Sequence, residues 1–121
     1  MDTSKSTKED RVFTAGVSVF SGRPDPTWSV SEDTGNRLQQ LFETLESSQE
    51  HAIPAPPLGY RGAFLRSDSN QQWFAYRGVV TLTELNRSEA RRDPGRQFER
   101  AIVDSAPEGL IPSALIAQEF D

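Results

Sequence analysis

QWFAYRGVVTLTEL, residues 72–85, is the stretch that decides the fold of this chain. Aromatic and β-branched residues crowd it, and it alternates at a period of two, as a strand does. Trp73, Ala75, Arg77 and Val79 fall on one face; Phe74, Tyr76, Gly78, Val80 and Leu82 fall on the other. Both faces are largely apolar, so either both are covered or one is an interface. The turn cluster SDSNQ (67–71) precedes it, and YRGAFLR (60–66) reads as a shorter strand, so the two form a hairpin. Gly62 and Gly78 sit inside these patterns, which points to bulges or close backbone approach.

Upstream, RVFTAGVSVF (11–20) reads as a strand with Phe13, Ala15, Val17 and Val19 on its core face and Thr14, Gly16 and Ser18 opposite. A helix follows. Ser31 is a good N-cap, Glu32 and Asp33 suit the first turn, and Thr34, Leu38, Leu41, Phe42 and Leu45 make an apolar stripe. It should run to about residue 48, with Gly35 weakening its start by up to about 1 kcal/mol. Residues 49–59 hold three prolines in four positions and form a stiff loop. Asp93-Pro94 marks a second helix start, with Phe98, Ala101, Ile102 and Ser105 on one face and Pro107 and Gly109 ending it. A short helix over about 113–120 carries Leu115, Ile116 and Phe120.

The expected order is therefore β-α-β-β-α-α. It predicts an α+β domain over 11–121: a small, mostly antiparallel three-stranded sheet packed with two main helices and a short C-terminal helix. Residues 1–10, MDTSKSTKED, lack apolar residues other than Met1 and are expected to be a disordered tail. The chain has 121 residues and a net charge of −5. Its pI is about 4.9. That balance argues against a nucleic-acid backbone as the main partner, which needs clustered Lys and Arg. With no cysteine, disulfides, thiolate metal sites and Cys nucleophiles are excluded. No apolar run suggests a signal peptide, a bilayer span or any membrane contact, so a soluble cytoplasmic protein is expected.

Two places stand out as candidate binding surfaces. In FSGRPDPTW (20–28), Pro24 and Pro26 pin the backbone beside Arg23 and Asp25, and Trp28 follows. A fixed arginine beside a tryptophan can grip a carboxylate or phosphate; alternatively the prolines only steer the chain from strand to helix and Trp28 fills the core. Second, Tyr-Arg-Gly occurs twice, giving Tyr60, Arg61, Tyr76 and Arg77, which a hairpin can gather into a cationic, aromatic-rimmed surface or spend on cross-strand packing. Arg92, Arg96 and Arg100 repeat at i, i+4 and read as a solvated helix face. Glu43, Glu46 and Glu50 read as a surface stripe without the rhythm of a calcium loop. His51 is the only histidine and has no metal-site spacing around it. No P-loop, dinucleotide fingerprint or nucleophile elbow is present, so no cofactor, metal ligand or catalytic residue is assigned.

These features predict a small non-catalytic binding or accessory domain. It would hold a protein partner, or a second copy of itself, through Arg23, Asp25, Trp28 and the aromatic hairpin. The alternative is a small-molecule-binding protein or enzyme with an Arg/Tyr-lined site for an anionic ligand.

Overall fold

The computed structural model describes residues 12–19, 24–49 and 60–120. The expected tail, Arg23, Glu50, His51 and the proline run lie outside the described residues. Six strands form one antiparallel sheet in the order β2-β1-β3-β4-β5-β6. They are β1 Phe13–Ser18, β2 Thr27–Val30, β3 Gly62–Ser67, β4 Gln71–Tyr76, β5 Val79–Glu84 and β6 Arg87–Arg92. Helix α1 spans Glu32–Thr44, a 3-10 turn covers Pro94–Arg96, and α2 (Gln97–Asp104) and α3 (Ser113–Phe120) follow. The class is α+β as expected. The sheet has six strands rather than three, and the order is β-β-α-β-β-β-β-α-α.

Three local causes account for the difference. Residues 72–85 make two strands, not one, because the chain reverses at Arg77-Gly78. Both residues have positive φ (46° and 96°), the form of a two-residue type I′ hairpin turn. That turn also shifts the alternation. Val80 pairs with Ala75 and Leu82 with Trp73, so these four share the core face and Val79 joins Tyr76. Second, Thr27–Val30 pairs with β1, so the pinned loop joins two strands and does not lead from a strand into a helix. Third, RSEARR (87–92) is a strand with no large apolar residue. It is the edge of the sheet, held by backbone pairing to β5 on one side. On the other side, Ser48 N–H donates to Ala90 O (2.9 Å) and Arg92 N–H to Glu46 O (2.8 Å). Arg92 is therefore a strand residue, and it does not continue the helical row of Arg96 and Arg100.

The core lies between the sheet and its three helices. Phe13, Ala15 and Val17 of β1, Leu65 of β3, and Trp73 and Ala75 of β4 are fully buried there against Leu38, Phe42, Phe98 and Ile102. Ser31 caps α1 as its sequence requires, accepting from Thr34 N–H at 3.1 Å. The helix ends at Thr44, earlier than expected, since Leu45 is already extended and Ser47 bridges to Arg91. Gly35 has a packing reason: a Cβ there would lie 2.2 Å from Phe13 Cδ2. On the opposite sheet face, Phe64 lies across Gly16 and Phe74 across Gly62, so each aromatic covers backbone that a glycine leaves bare.

Candidate functional site: an arginine-rimmed cleft

The register brings the ends of β1, β3, β4, β5 and β6 together at one edge. Ser18 pairs with Gly62, Tyr76 with Val79, and Val79 with Arg92. A cleft of about 860 Å³ opens at this edge. Its walls are the end of α1 (Thr44–Glu46), the Arg77-Gly78 turn, and the chain from Arg92 to Gln97.

Two of the walls have a clear local cause. Arg91 fixes the first. Its Nη1 donates to the carbonyls of Phe42, Glu43 and Leu45 (3.1, 3.0 and 3.2 Å), capping the C-terminal end of α1, where Phe42 O also accepts from Leu45 N–H (3.0 Å). Its guanidinium also stacks 4.7 Å from the Phe42 ring. Asp93 fixes the third. It is buried, and its carboxylate accepts from Phe98 N–H (2.8 Å) and Glu99 N–H (3.1 Å), so it caps α2 across the 3-10 turn. Burial lifts its pKa above the ordinary carboxylate value, against the pull of those N–H groups. Within that third wall, Gly95 has φ 67° and open space where a Cβ would stand.

Behind the cleft sits a buried ionic knot centred on Glu99, whose side chain is 0% exposed. Glu99 accepts from Arg96 Nε (3.0 Å) and Nη2 (2.8 Å), from Arg77 N–H (2.9 Å), and from the Tyr60 hydroxyl. Arg96 stands in the left-handed region (φ 57°), which turns its fork back onto Glu99. Burial, and then the Glu99 carboxylate beside it, push the Tyr60 pKa far above the usual phenol value. Tyr60 is thus held as a hydrogen-bond donor and not as a proton acceptor. Burial works against the charge on Arg96, but Glu99 and Glu119 outweigh it and raise its pKa. Glu119 of α3 holds Arg96 Nη2 (3.1 Å) and Arg77 Nε (3.0 Å) through one carboxylate oxygen.

No protein-family model, no curated protein and no solved structure matches this chain. The site is therefore read from its own chemistry.

The candidate residues from the sequence divide between packing and surface. Trp28 is 6% exposed, and its indole N–H donates to Ser105 Oγ (2.9 Å), so it fills the core beneath α2. Asp25 accepts from Val19 N–H at 3.1 Å and ties the loop to the end of β1. Arg61 is half-buried, and its backbone N–H donates to Ser18 O at 2.7 Å. Tyr60, Tyr76 and Arg77 do come together: the two rings are 6.1 Å apart, and the Arg77 guanidinium lies 5.3 Å from the Tyr76 ring. Both tyrosines are buried, so of these three only Arg77 reaches the cleft.

Arg92, Arg96 and Glu99 carry the site and were not singled out as binding residues in the sequence. Glu99 had a legible signal, because it stands three and four residues before Ile102 and Val103, on the apolar stripe of α2. Arg92 makes no side-chain hydrogen bond or ion pair among the described residues, yet it lines the cleft. Among the described residues no cluster of His, Asp and Glu could hold a metal ion, and no helix is long and apolar enough to cross a membrane.

Proposed function

We propose that this chain is a non-catalytic binding domain that takes an acidic segment of a protein partner in the cleft at the strand ends. The observation that carries this reading is the trio Arg77, Arg92 and Arg96 rimming one 860 Å³ cleft in a chain of net charge −5. The Arg92 side chain makes no hydrogen bond or ion pair among the described residues. Guanidinium groups match carboxylates with directed, charge-assisted hydrogen bonds. Arginine is also among the residues that dominate interface energetics. The small-ligand alternative loses support because the Tyr60 hydroxyl is committed to Glu99 and Tyr76 is buried, which leaves the cleft wall charged and not aromatic.

The test uses a fluorescein-labelled peptide of glutamates as probe, with binding read by anisotropy on the full chain. Arg92→Ala should weaken binding about five- to tenfold, the loss of one charge-assisted contact. Thermal unfolding should be unchanged, because the exposed Arg92 side chain makes no hydrogen bond or ion pair among the described residues. Equal affinity of wild type and variant would remove the cleft from consideration.

A further inference from the structure

We infer that the groove between α1 and strands β4–β6 binds a small protonated amine that also carries hydroxyl groups, the chemistry of an amino sugar. This groove holds about 200 Å³ and shares no lining residue with the arginine cleft, so the two sites can be tested separately.

The groove is lined by a donor that has no acceptor. Trp73 is fully buried, yet its indole N–H makes no hydrogen bond among the described residues. The other tryptophan, Trp28, donates its N–H to Ser105. Buried donors are nearly always paired, and an exception calls for a cause. The cross-strand neighbours of Trp73 are Leu65 and Leu82, both apolar, and the core around it is apolar too. An acceptor therefore has to come from the groove that Trp73 lines.

The register sets the chemistry around it. Trp73, Leu82 and Glu89 stand in one row across β4, β5 and β6, and Gln71, Glu84 and Arg87 stand in the next. Gln39 and Glu43, one turn apart on α1, line the other side. Three carboxylates thus line the groove. The Glu43 side chain makes no hydrogen bond or ion pair among the described residues. Gln71 Nε2 donates to Glu84 at 2.8 Å, but the Arg87 guanidinium stays 3.9 Å from Glu84 and is largely exposed. Glu89 is paired with Arg91 (2.7 Å), which is also spent on the end of α1. The carboxylates outnumber the cations free to answer them, so they favour a ligand cation that donates charge-assisted hydrogen bonds. They also repel an anionic acceptor, so the oxygen that takes the Trp73 N–H has to be neutral. Hydroxyl groups supply that oxygen and donate to the remaining carboxylate oxygens. Trp73, Leu82 and Phe42 offer an apolar bed for the C–H groups of a ring. The groove is smaller than the roughly 300–1,000 Å³ of sites for drug-sized ligands, which suits a single sugar ring.

The test follows the two indole N–H resonances of the isotope-labelled full chain, assigned with Trp73→Phe, as glucosamine is added. The Trp73 resonance should shift in a saturable way, and that of Trp28 should stay in place. Glucose, which lacks the ammonium group, and propylamine, which lacks the hydroxyls, should each bind at least about tenfold more weakly. Glu43 is exposed, so Glu43→Gln keeps the fold, and it should weaken glucosamine binding about five- to tenfold. A Trp73 resonance that glucosamine leaves in place overturns the inference, and a nuclear Overhauser contact with water would then name the partner of that N–H. Equal affinity for glucosamine and either of the other probes overturns it as well, as does equal affinity of wild type and Glu43→Gln for glucosamine.

Discussion

Replacing Glu99 by alanine should be the most damaging polar substitution in this chain. Glu99 is fully buried and accepts four donors: Arg96 Nε and Nη2, the Arg77 N–H and the Tyr60 hydroxyl. Its removal leaves the hydroxyl of a buried tyrosine and one backbone N–H without an acceptor. Each such loss costs about 1–3 kcal/mol. Arg96 keeps Glu119 and is 22% exposed, so its charge is only partly stranded. The total falls at about 3–5 kcal/mol, the usual cost of breaking a buried ion pair from one side. For a chain of this length that lowers Tm by roughly 10–20 °C. Urea denaturation at pH 7, followed by tryptophan fluorescence from Trp28 and Trp73, measures it. Tyr60→Phe is the internal control. It removes one donor and leaves Glu99 three others, so it should cost only about 1 kcal/mol. A Glu99→Ala cost below about 1 kcal/mol would mean that the knot contributes nothing beyond solvated charges, and would refute the reasoning.

Gly35→Ala improves intrinsic helix propensity by about 1 kcal/mol, yet it should destabilise the fold by about 1–3 kcal/mol, because the new Cβ meets the buried ring of Phe13. A rise in urea midpoint would show that Phe13 moves aside freely. Trp28→Ala should cost about 3–5 kcal/mol in the same assay, since it empties core beneath α2; a loss below about 1 kcal/mol would place Trp28 at the surface. Asp93 has a pKa raised in the folded chain, so its proton leaves the unfolded chain first as pH rises. Its contribution to stability is therefore full below about pH 4 and declines as pH climbs through the folded value. The stability deficit of Asp93→Asn relative to wild type should be smaller at pH 6.5 than at pH 4, and a larger deficit at pH 6.5 would contradict the direction of that shift.

The parts of the fold legible in the sequence are those where apolar spacing and burial coincide. Phe13, Ala15, Val17 and Val19 all face the core, and Ser31 caps α1. The Asp93-Pro94 signal marked the start of the second helical segment, although Asp93 itself reaches past a 3-10 turn to cap it. What escaped was structure held by backbone pairing alone. β6 offers no apolar alternation because it is an edge strand, and β2 is four residues long between a proline and an N-cap. The turn at Arg77-Gly78 hid inside a continuous β-rich run, since arginine is an unusual choice at positive φ. Its N–H donates to Glu99, a contact 22 residues away that no local pattern reports. The repeated Tyr-Arg-Gly falls at the end of the sheet where the cleft opens. It could not tell that both tyrosines turn inward while Arg92, on the unrecognised strand, faces the cleft.

The central claim is that acidic segments enter the cleft between the end of α1 and the Arg92–Gln97 chain. Amide chemical-shift mapping of the full chain during titration with the glutamate peptide tests it most directly. The account predicts shifts concentrated at Gly78, Arg92, Gly95 and Gln97, weakened by Arg92→Ala. Shifts spread over Thr14–Ser18 and the Phe64–Phe74 face, with these four amides unmoved, would contradict it.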